Sequence, residues 1–355
     1  MTTYTPIEFP SIADLCNSEK FHAALDVSGF EVKALESFLR SMLLIRSVER
    51  KLADNKRDGL IGGPVHLGAG QEAIAVAVSA CLNSSDCVFS AHRSHAHLLA
   101  LGGSVFGLFA EVLGRATGLS KGRGGSMHLW EKSCGFYGSV PIVAGTVPLA
   151  VGAGLALKLK RSNAIAVAYF GDGAVEEGVV HESMNLARIH NLPVIFIVEN
   201  NLFASHLHIS LRQPVASVAR FASANDIPHV TLDGNDVLGL YRASKNFVER
   251  ARNGGGPSFL EAVTFRFYGH VDWREDIDVG VARTQSDLAN WRLRDPILRL
   301  SKGMQEAGAW RSSNFDDMLA EVQNEVDGAW ENALRQPPPL LESLMNDVYA
   351  GGNHN

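Results

Sequence analysis

Two short apolar runs, Ile165–Phe170 and Pro193–Val198, are continuous rather than alternating, as expected of strands buried on both faces of a sheet. Between them, Ala174–His190 carries Val175, Val179, Met184, Leu186 and Ile189 at helical spacing and is far too long for a strand. Strand, helix and strand in this order predict a right-handed βαβ unit with parallel strands. The same periodicities predict helices over Glu31–Arg57, Gln71–Leu82, Val105–Leu113, Val147–Lys160 and Val237–Arg252, and strands over Asp86–Ser90, Thr231–Asp233 and Ser258–Thr264. Gly254-Gly255-Gly256-Pro257 is a helix-to-strand break. Beyond Ser286 the pattern is helical and charged, and Pro337-Pro338-Pro339 sets off a last short helix. Gly118–Gly138 and Tyr268–Thr284 are loop-like and expected to be mobile, and there are no internal repeats. The predicted architecture is α/β, a mostly parallel sheet with helices on both faces and helical N- and C-terminal extensions. Residues 1–30 form the N-terminal extension, 31–285 the main domain, and 286–355 a helical C-terminal region of that same domain.

The parallel sheet changes the meaning of two polar stretches. Gly171-Asp172-Gly173 follows the first strand, and Glu199-Asn200-Asn201 follows the second. Neighbouring parallel strands lie about 4.8 Å apart, so Asp172 and Asn201 can reach one ion. A carboxylate, an amide oxygen and the backbone carbonyl of Phe203 would leave the rest of an octahedron to phosphate oxygens and water, which suits Mg²⁺. Gly171 and Gly173 allow close backbone approach, and amides from Ala174 onward, at the start of the helix, can face a phosphate. The plain alternative is a strand-end turn and an ordinary loop, neither touching a ligand.

Charge and composition narrow the function classes. The 355-residue chain is long enough for one large α/β domain. A net charge of −6 without a basic stripe argues against nucleic acid, and no apolar run approaches a membrane span. Met1–Lys20 contains no arginine and no long apolar segment, which argues against a transit or secretory peptide. Cys16, Cys81, Cys87 and Cys134 form no CxxC pair and suit a reducing compartment, so a cytoplasmic location is expected. His92, His95 and His97 could be taken for a metal cluster, and a helix would put His92 and His95 on one face. No cysteine or further clustered acidic ligand completes a zinc set.

GDGAVEEGVVHESMNLARIHNLPVIFIVENN resembles the thiamine-diphosphate motif as it occurs in the alpha subunit of 2-oxoacid dehydrogenase decarboxylase components, the group of the pyruvate, branched-chain 2-oxoacid and acetoin dehydrogenases. His66–Ala73 is similar to that family's HxxxGQEA, and Ala91–His97 to its (T/A)(H/Y)RxHGH, nearest to the acetoin branch. Lys121–His128 (KGRGGSMH) nearly matches KGKGGSMH, Ile142–Gly152 resembles IVGxxxPxAxG, and Phe265–His270 (FRFYGH) resembles YRxxGH. The matches run in family order over most of the chain.

The resemblance implies a thiamine-diphosphate-binding fold that holds the cofactor and Mg²⁺. The cofactor contacts it implies are His92, Arg93, Val143, Gly171, Asp172, Gly173, Ala174, Asn201 and His270, with Asp172, Asn201 and Phe203 on the metal. Arg93 would pair with the diphosphate, a use suited to a planar, permanently charged fork; a solvated surface arginine is the alternative. His92 stands where some relatives have tyrosine. The implied catalytic set is His270, Arg266, His95 and His128. His270 would sit over the cofactor and assist proton or acyl transfer, Arg266 would support the site or guide the incoming acceptor, and Val143 would support the bent cofactor from below. His128 adjoins a glycine-rich loop that looks like a phosphate cradle but lacks the Walker spacing; packing at a subunit contact is the alternative.

The glutamate that activates the aminopyrimidine ring belongs, in this family, to a separate beta subunit. Glu72 is not expected to replace it, because Ala73, Ile74, Val76 and Val78 suit a packed helix. The implied assembly is an α2β2 heterotetramer acting on a small 2-oxoacid or acetoin, with a lipoyl-bearing acyltransferase component as acceptor of the acyl unit. After His270 the family's SxSD is replaced by Val271-Asp272-Trp273-Arg274-Glu275-Asp276, and Ala282-Arg283-Thr284 stands for the YRT triplet. The serine phosphorylated in mitochondrial relatives is therefore missing, and Asp272, Glu275, Asp276 and Asp278 read as a solvated acidic loop. Two alternatives stay open: a thiamine-dependent carboligase subunit serving a non-lipoyl acceptor, and a non-catalytic scaffold subunit of the same fold.

Overall fold

The computed structural model describes residues 11–277, 283–308, 310–343 and 345. Helices α1 (Ile12–Cys16), α2 (Val32–Arg57) and α3 (Glu72–Ser79) precede strand β1 (Cys87–Ser90). Helices α4 (His95–Ala100) and α5 (Val105–Val112) lead to β2 (Phe136–Ser139), and α6 (Val147–Leu159) leads to β3 (Ala166–Gly171). Helix α7 (Gly178–Ile189) connects to β4 (Val194–Asn200). A small hairpin, β5 (Phe203–Ala204) and β6 (Leu207–His208), and α8 (Arg220–Ala224) come before β7 (His229–Asp233). Helix α9 (Val237–Arg252) precedes β8 (Ser258–Val263), followed by α10 (Gln285–Leu293), α11 (Pro296–Glu306) and α12 (Ser312–Leu334).

Six strands form one parallel sheet in the order β2-β1-β3-β4-β8-β7. Every residue of β4 and β8 is buried, which is why these runs read as continuous rather than alternating. The pleat still divides them. Ile165, Val167 and Tyr169 join Ile195, Ile197 and Leu260 in a core shared with α2, α3, α5 and α9. Ala166, Ala168 and Phe170 join Val194, Phe196 and Phe259 in a second core shared with α7. Helix α11 packs on α2 and α3, and α12 on α2 and α5, so the charged C-terminal helices thicken the first layer. The fold is the expected α/β arrangement with helices on both faces.

Local differences have physical causes. The segment expected as loop over Gly118–Gly138 runs into β2, an edge strand whose four residues, FYGS, are too few and too mixed to show a period. The helix expected from Ala174 begins at Gly178. A 3-10 turn, Ala174–Glu176, comes first, and Glu177 is extended at φ −74°, ψ 133°. Strand β4 runs on through Glu199 to Asn200. After the three prolines there is a 3-10 turn, Leu341–Ser343, where a short helix was expected. In the N-terminal extension α1 is five residues long. Tyr268–Thr284 has no helix or strand among its described residues; Asp278 and Ala282 lie outside them. Among the described residues no helix is long and apolar enough to cross a membrane.

Candidate active site

From β1 the chain passes to α4 and α5 on the first face, whereas from neighbouring β3 it passes to α7 on the opposite face. Connections that leave adjacent parallel strands on opposite faces open a crevice at their carboxyl ends, where α/β sheets bind ligands. A cavity of about 530 Å³ lies there. His92 and Arg93 enter it after β1, Gly171–Ala174 after β3, and Asn201 and Phe203 after β4. Val143 reaches it from the turn before α6, and His270 from the segment after β8. One cavity thus gathers the whole set of cofactor and metal candidates read from the sequence.

At the β3 edge, Gly171 is paired with Glu199 of β4. Asp172 is 1% exposed. Burial pushes its carboxyl above the usual aspartate range, and Arg212, whose guanidinium bonds both Asp172 and Glu176, partly offsets this. Gly173 must be glycine because a Cβ there would stand 2.6 Å from the Cβ of Ala204 in the hairpin. The two asparagines separate by role. Asn200, inside β4, donates from Nδ2 to Glu261 Oε1 at 2.7 Å and is a sheet-building residue. Asn201 accepts from the Phe203 amide at 3.3 Å, donates to Gln71 Oε1 at 3.3 Å, and lines the cavity.

The opposite wall is cationic and short of partners. Arg93 donates to the carbonyls of Leu67 at 2.5 Å and His270 at 3.2 Å, and burial pulls its pKa down to about 10. Arg266, 1% exposed, donates from Nη2 to the carbonyl of Ser205 at 3.1 Å. Its Nε and Nη1 are buried without a hydrogen-bond partner among the described residues. Burial, then the nearby Arg93 and Arg283 charges, holds its pKa well below the ordinary arginine value. His270 is depressed to about 3 by burial and then by Arg93, and His92 to about 3 for the same two reasons. Arg266 itself does not line the cavity; it fixes Ser205, which does.

The other two catalytic candidates stand apart from the cavity. His95 is fully buried, with Nδ1 at 3.2 Å from Glu49 and Nε2 at 2.8 Å from Ser126, so it clamps the glycine-rich loop onto α2. His128 is exposed, its Nδ1 at 3.0 Å from the carbonyl of Gly124. The glycine-rich loop is no phosphate cradle here. Glu111, 0% exposed, accepts from the amides of Ser120 (2.6 Å), Gly122 (2.9 Å), Gly124 (2.7 Å) and Gly125 (3.0 Å), so these donors face an internal carboxylate. Glu72 is likewise internal, accepting from Arg46 and from the Gly70 amide.

Sequence reasoning quoted His66 and Glu199 within motifs without giving either a role, and it passed over Arg212. His66 lines the cavity and is depressed to about 2 by burial and then by Arg93. Glu199 also lines it, with Oε1 at 3.2 Å from Nε2 of His97, which stacks on Tyr169 at 3.8 Å. A glutamate ending the apolar run of β4 was a signal for Glu199. Arg212 lies in an irregular segment with no local pattern to mark it.

The residues present fit a diphosphate with a hard cation. The carbonyl-bound cation of Arg93 suits an anion, and so do the buried donors of Arg266 and His66 that have no hydrogen-bond partner among the described residues. The carboxylate of Asp172, the amide of Asn201 and the carbonyl of Phe203 are an oxygen set suited to Mg²⁺.

Comparison with known proteins gives the family. A family model described as "Dehydrogenase E1 component" matches residues 39–342. The alpha subunit of acetoin:2,6-dichlorophenolindophenol oxidoreductase from Bacillus subtilis is 38% identical over 321 residues, covering 90% of this chain and 94% of that protein. The pyruvate dehydrogenase E1 component subunit alpha of Rhizobium meliloti is 36% identical over 310 residues, covering 87% and 88%. The testis-specific mitochondrial form of the same subunit from Homo sapiens is 36% identical over 315 residues, covering 88% and 79%.

Proposed function

The chain belongs to the dehydrogenase E1 component family, and from that premise we propose how its own residues divide the work. It is the alpha subunit of a thiamine-diphosphate-dependent 2-oxoacid or acetoin dehydrogenase, an oxidoreductase that works with a beta subunit. The proposal is that Arg93, His92 and His270 take the cofactor's diphosphate with the backbone of Gly171, Gly173 and Ala174, while Asp172, Asn201 and the Phe203 carbonyl hold Mg²⁺. Val143 would carry the cofactor's bend. The cofactor supplies the carbon nucleophile and electron sink on which a 2-keto substrate is cleaved.

Each protein contribution has a physical basis. Arg93, which lines the cavity, would compensate the diphosphate charge, and buried Arg266 would add its field from behind the lining. Arg212 pairs with Asp172, so Mg²⁺ held there would share that carboxylate with a guanidinium. His270, neutral at pH 7, can hold or release a proton on the substrate side. Arg266 acts through Ser205, and His95 through Ser126, as positioning residues; His128 belongs to the outer surface of the same loop. The beta subunit would supply the activating glutamate in an α2β2 assembly, and a lipoyl-bearing acyltransferase would accept the acyl unit.

The observation that carries this reading is the convergence of Asp172, Asn201, Arg93 and His270 on one cavity beside unpartnered buried donors. Calorimetry on the assembled alpha–beta pair tests it. Mg²⁺-dependent uptake of thiamine diphosphate is expected for the natural chain and should collapse in Asp172→Ala. Unchanged affinity in that variant would sink the metal assignment and favour a non-catalytic scaffold subunit. Reductive acylation of lipoamide by the same pair is the expected activity, and its absence alongside intact cofactor uptake would point to a carboligase acceptor.

A further inference from the structure

The glycine-rich loop encloses a buried carboxylate that the chemistry above does not use. Glu111 lies near the end of α5, and among the described residues its hydrogen-bond partners are all backbone amides. Oε2 takes Ser120 and Gly122, and Oε1 takes Gly124 and Gly125. Amides that converge in this way form the concave nest in which loops bind phosphate and other oxyanions. Here the acceptor is part of the chain. The wrapping is close enough to demand glycine: a Cβ on Gly118 would stand 2.6 Å from the Cα of Glu111, and Gly122 has φ +72°.

Two routes lead from the nest to the cavity. Gly125 opens the 3-10 turn Gly125–Met127, and Met127 lines the cavity. The carbonyl of Met127 accepts from Ser139 Oγ at 3.0 Å, so this residue is held between α5 and the end of β2. The second route begins at Ser126, whose hydroxyl stands 2.8 Å from Nε2 of His95. His95 Nδ1 stands 3.2 Å from Glu49 Oε2, and Glu49 Oε1 accepts from the Gly68 amide at 3.0 Å. The carbonyl of adjacent Leu67 accepts from Arg93. Ser126, His95, Glu49 and Arg93 are all buried, and the relay ends on an arginine of the cavity lining.

We propose that Glu111 is a positioning residue of the cavity: its carboxylate fills the loop as a bound oxyanion would, and so sets Met127 and, through Ser126, the Arg93 wall. Without it the four amides lose their acceptor together. Leaving donors buried and unpaired is costly, so the loop opens to water instead of keeping its turn. Glu111→Ala deletes a fragment the size of acetate and leaves the nest, so the emptied loop becomes a site for a small carboxylate anion. The effect on cofactor uptake rests on the assignment of the cavity given above; the nest and its anion do not.

The experiment uses the full chain with its beta subunit, and acetate as the probe. In Glu111→Ala the amides of Ser120, Gly122, Gly124 and Gly125 should lose protection from hydrogen exchange. Calorimetric affinity for thiamine diphosphate with Mg²⁺ should fall at least about 10-fold, the order expected when one wall of a site shifts by about an ångström. Acetate should restore both, and chloride at equal ionic strength neither. Intact protection in Glu111→Ala, or recovery with chloride as readily as with acetate, would overturn the nest. Lost protection with unchanged cofactor affinity would leave Glu111 a stability residue and overturn its positioning role. Should Glu111→Ala not fold, Glu111→Gln decides, because it keeps the size but turns one acceptor into a donor. One pair of amides, Ser120 with Gly122 or Gly124 with Gly125, should then exchange freely while the other stays protected, and cofactor affinity should fall. Four protected amides in that variant would overturn the proposal. Failure of the natural chain to take up the cofactor would strike the cavity assignment instead, with exchange and acetate still deciding the nest.

Discussion

Two groups of buried arginines meet opposite fates in this molecule. On one side, Arg46 bonds Glu72 Oε1 at 2.5 Å, Glu72 Oε2 at 2.9 Å and Asp295 Oδ2 at 2.7 Å. Close by, Arg294 and Arg299 share Asp233 at 2.7 and 2.6 Å. Burial opposes the charge on Arg46, yet its two carboxylates raise its pKa above the ordinary value, whereas on Arg294, which shares one carboxylate with Arg299, burial wins and the pKa is lowered. On the other side, Arg93, Arg266 and Arg283 are equally removed from water but bond backbone carbonyls, and burial lowers the pKa of all three. A buried cation with carboxylate partners builds the fold. A buried cation without them is a candidate for holding an anion, and of these three it is Arg93 that lines the cavity.

Substitution of Arg46 should show the largest effect. Arg46→Met strands Glu72 and Asp295 inside the protein and should cost about 3–5 kcal/mol of stability, as unpaired buried charges do; denaturant unfolding measures it. A loss below 1 kcal/mol would erase the distinction between the two groups. Arg266→Met should act the other way round. Removing a strained cation leaves the cofactor-free Tm unchanged or raised. Affinity for thiamine diphosphate should meanwhile fall because Ser205 loses the donor that fixes it in the cavity lining, by about 0.5–1.5 kcal/mol, roughly 2- to 13-fold. Parallel loss of both would make Arg266 merely structural.

The last effect is one of pH. His66, His92 and His270 have folded pKa values of about 2, 3 and 3 against an ordinary 6.5. The unfolded chain takes up protons below pH 6.5 that the folded chain refuses until about pH 3, so the folded state loses stability as pH falls through that window. Above pH 6.5 their contribution is fully present. The cofactor-free Tm should therefore drop between pH 7 and pH 5, and His92→Tyr should flatten that drop; an unaltered slope would show that folding does not shift the titration of His92.

The chain's periodicity by itself determined the parallel sheet and its covered faces, because strands buried on both sides must be apolar throughout. It also put Asp172 and Asn201 at one edge, since parallel strands joined by a helix end together. Boundaries slipped where short-range pattern is weak: β2 is four residues long, and the helix start moved from Ala174 to Gly178 because a 3-10 turn intervenes. The histidines depended on the tertiary fold. Sequence grouped His92, His95 and His97, but packing sent His95 to Glu49 and His97 to Glu199, and joined His92 with His66 and His270 from distant segments. Arg212 reached Asp172 in the same way. Periodicity is a local property and survives in one dimension, whereas the partner of a buried charge is chosen by whichever segments the core brings together.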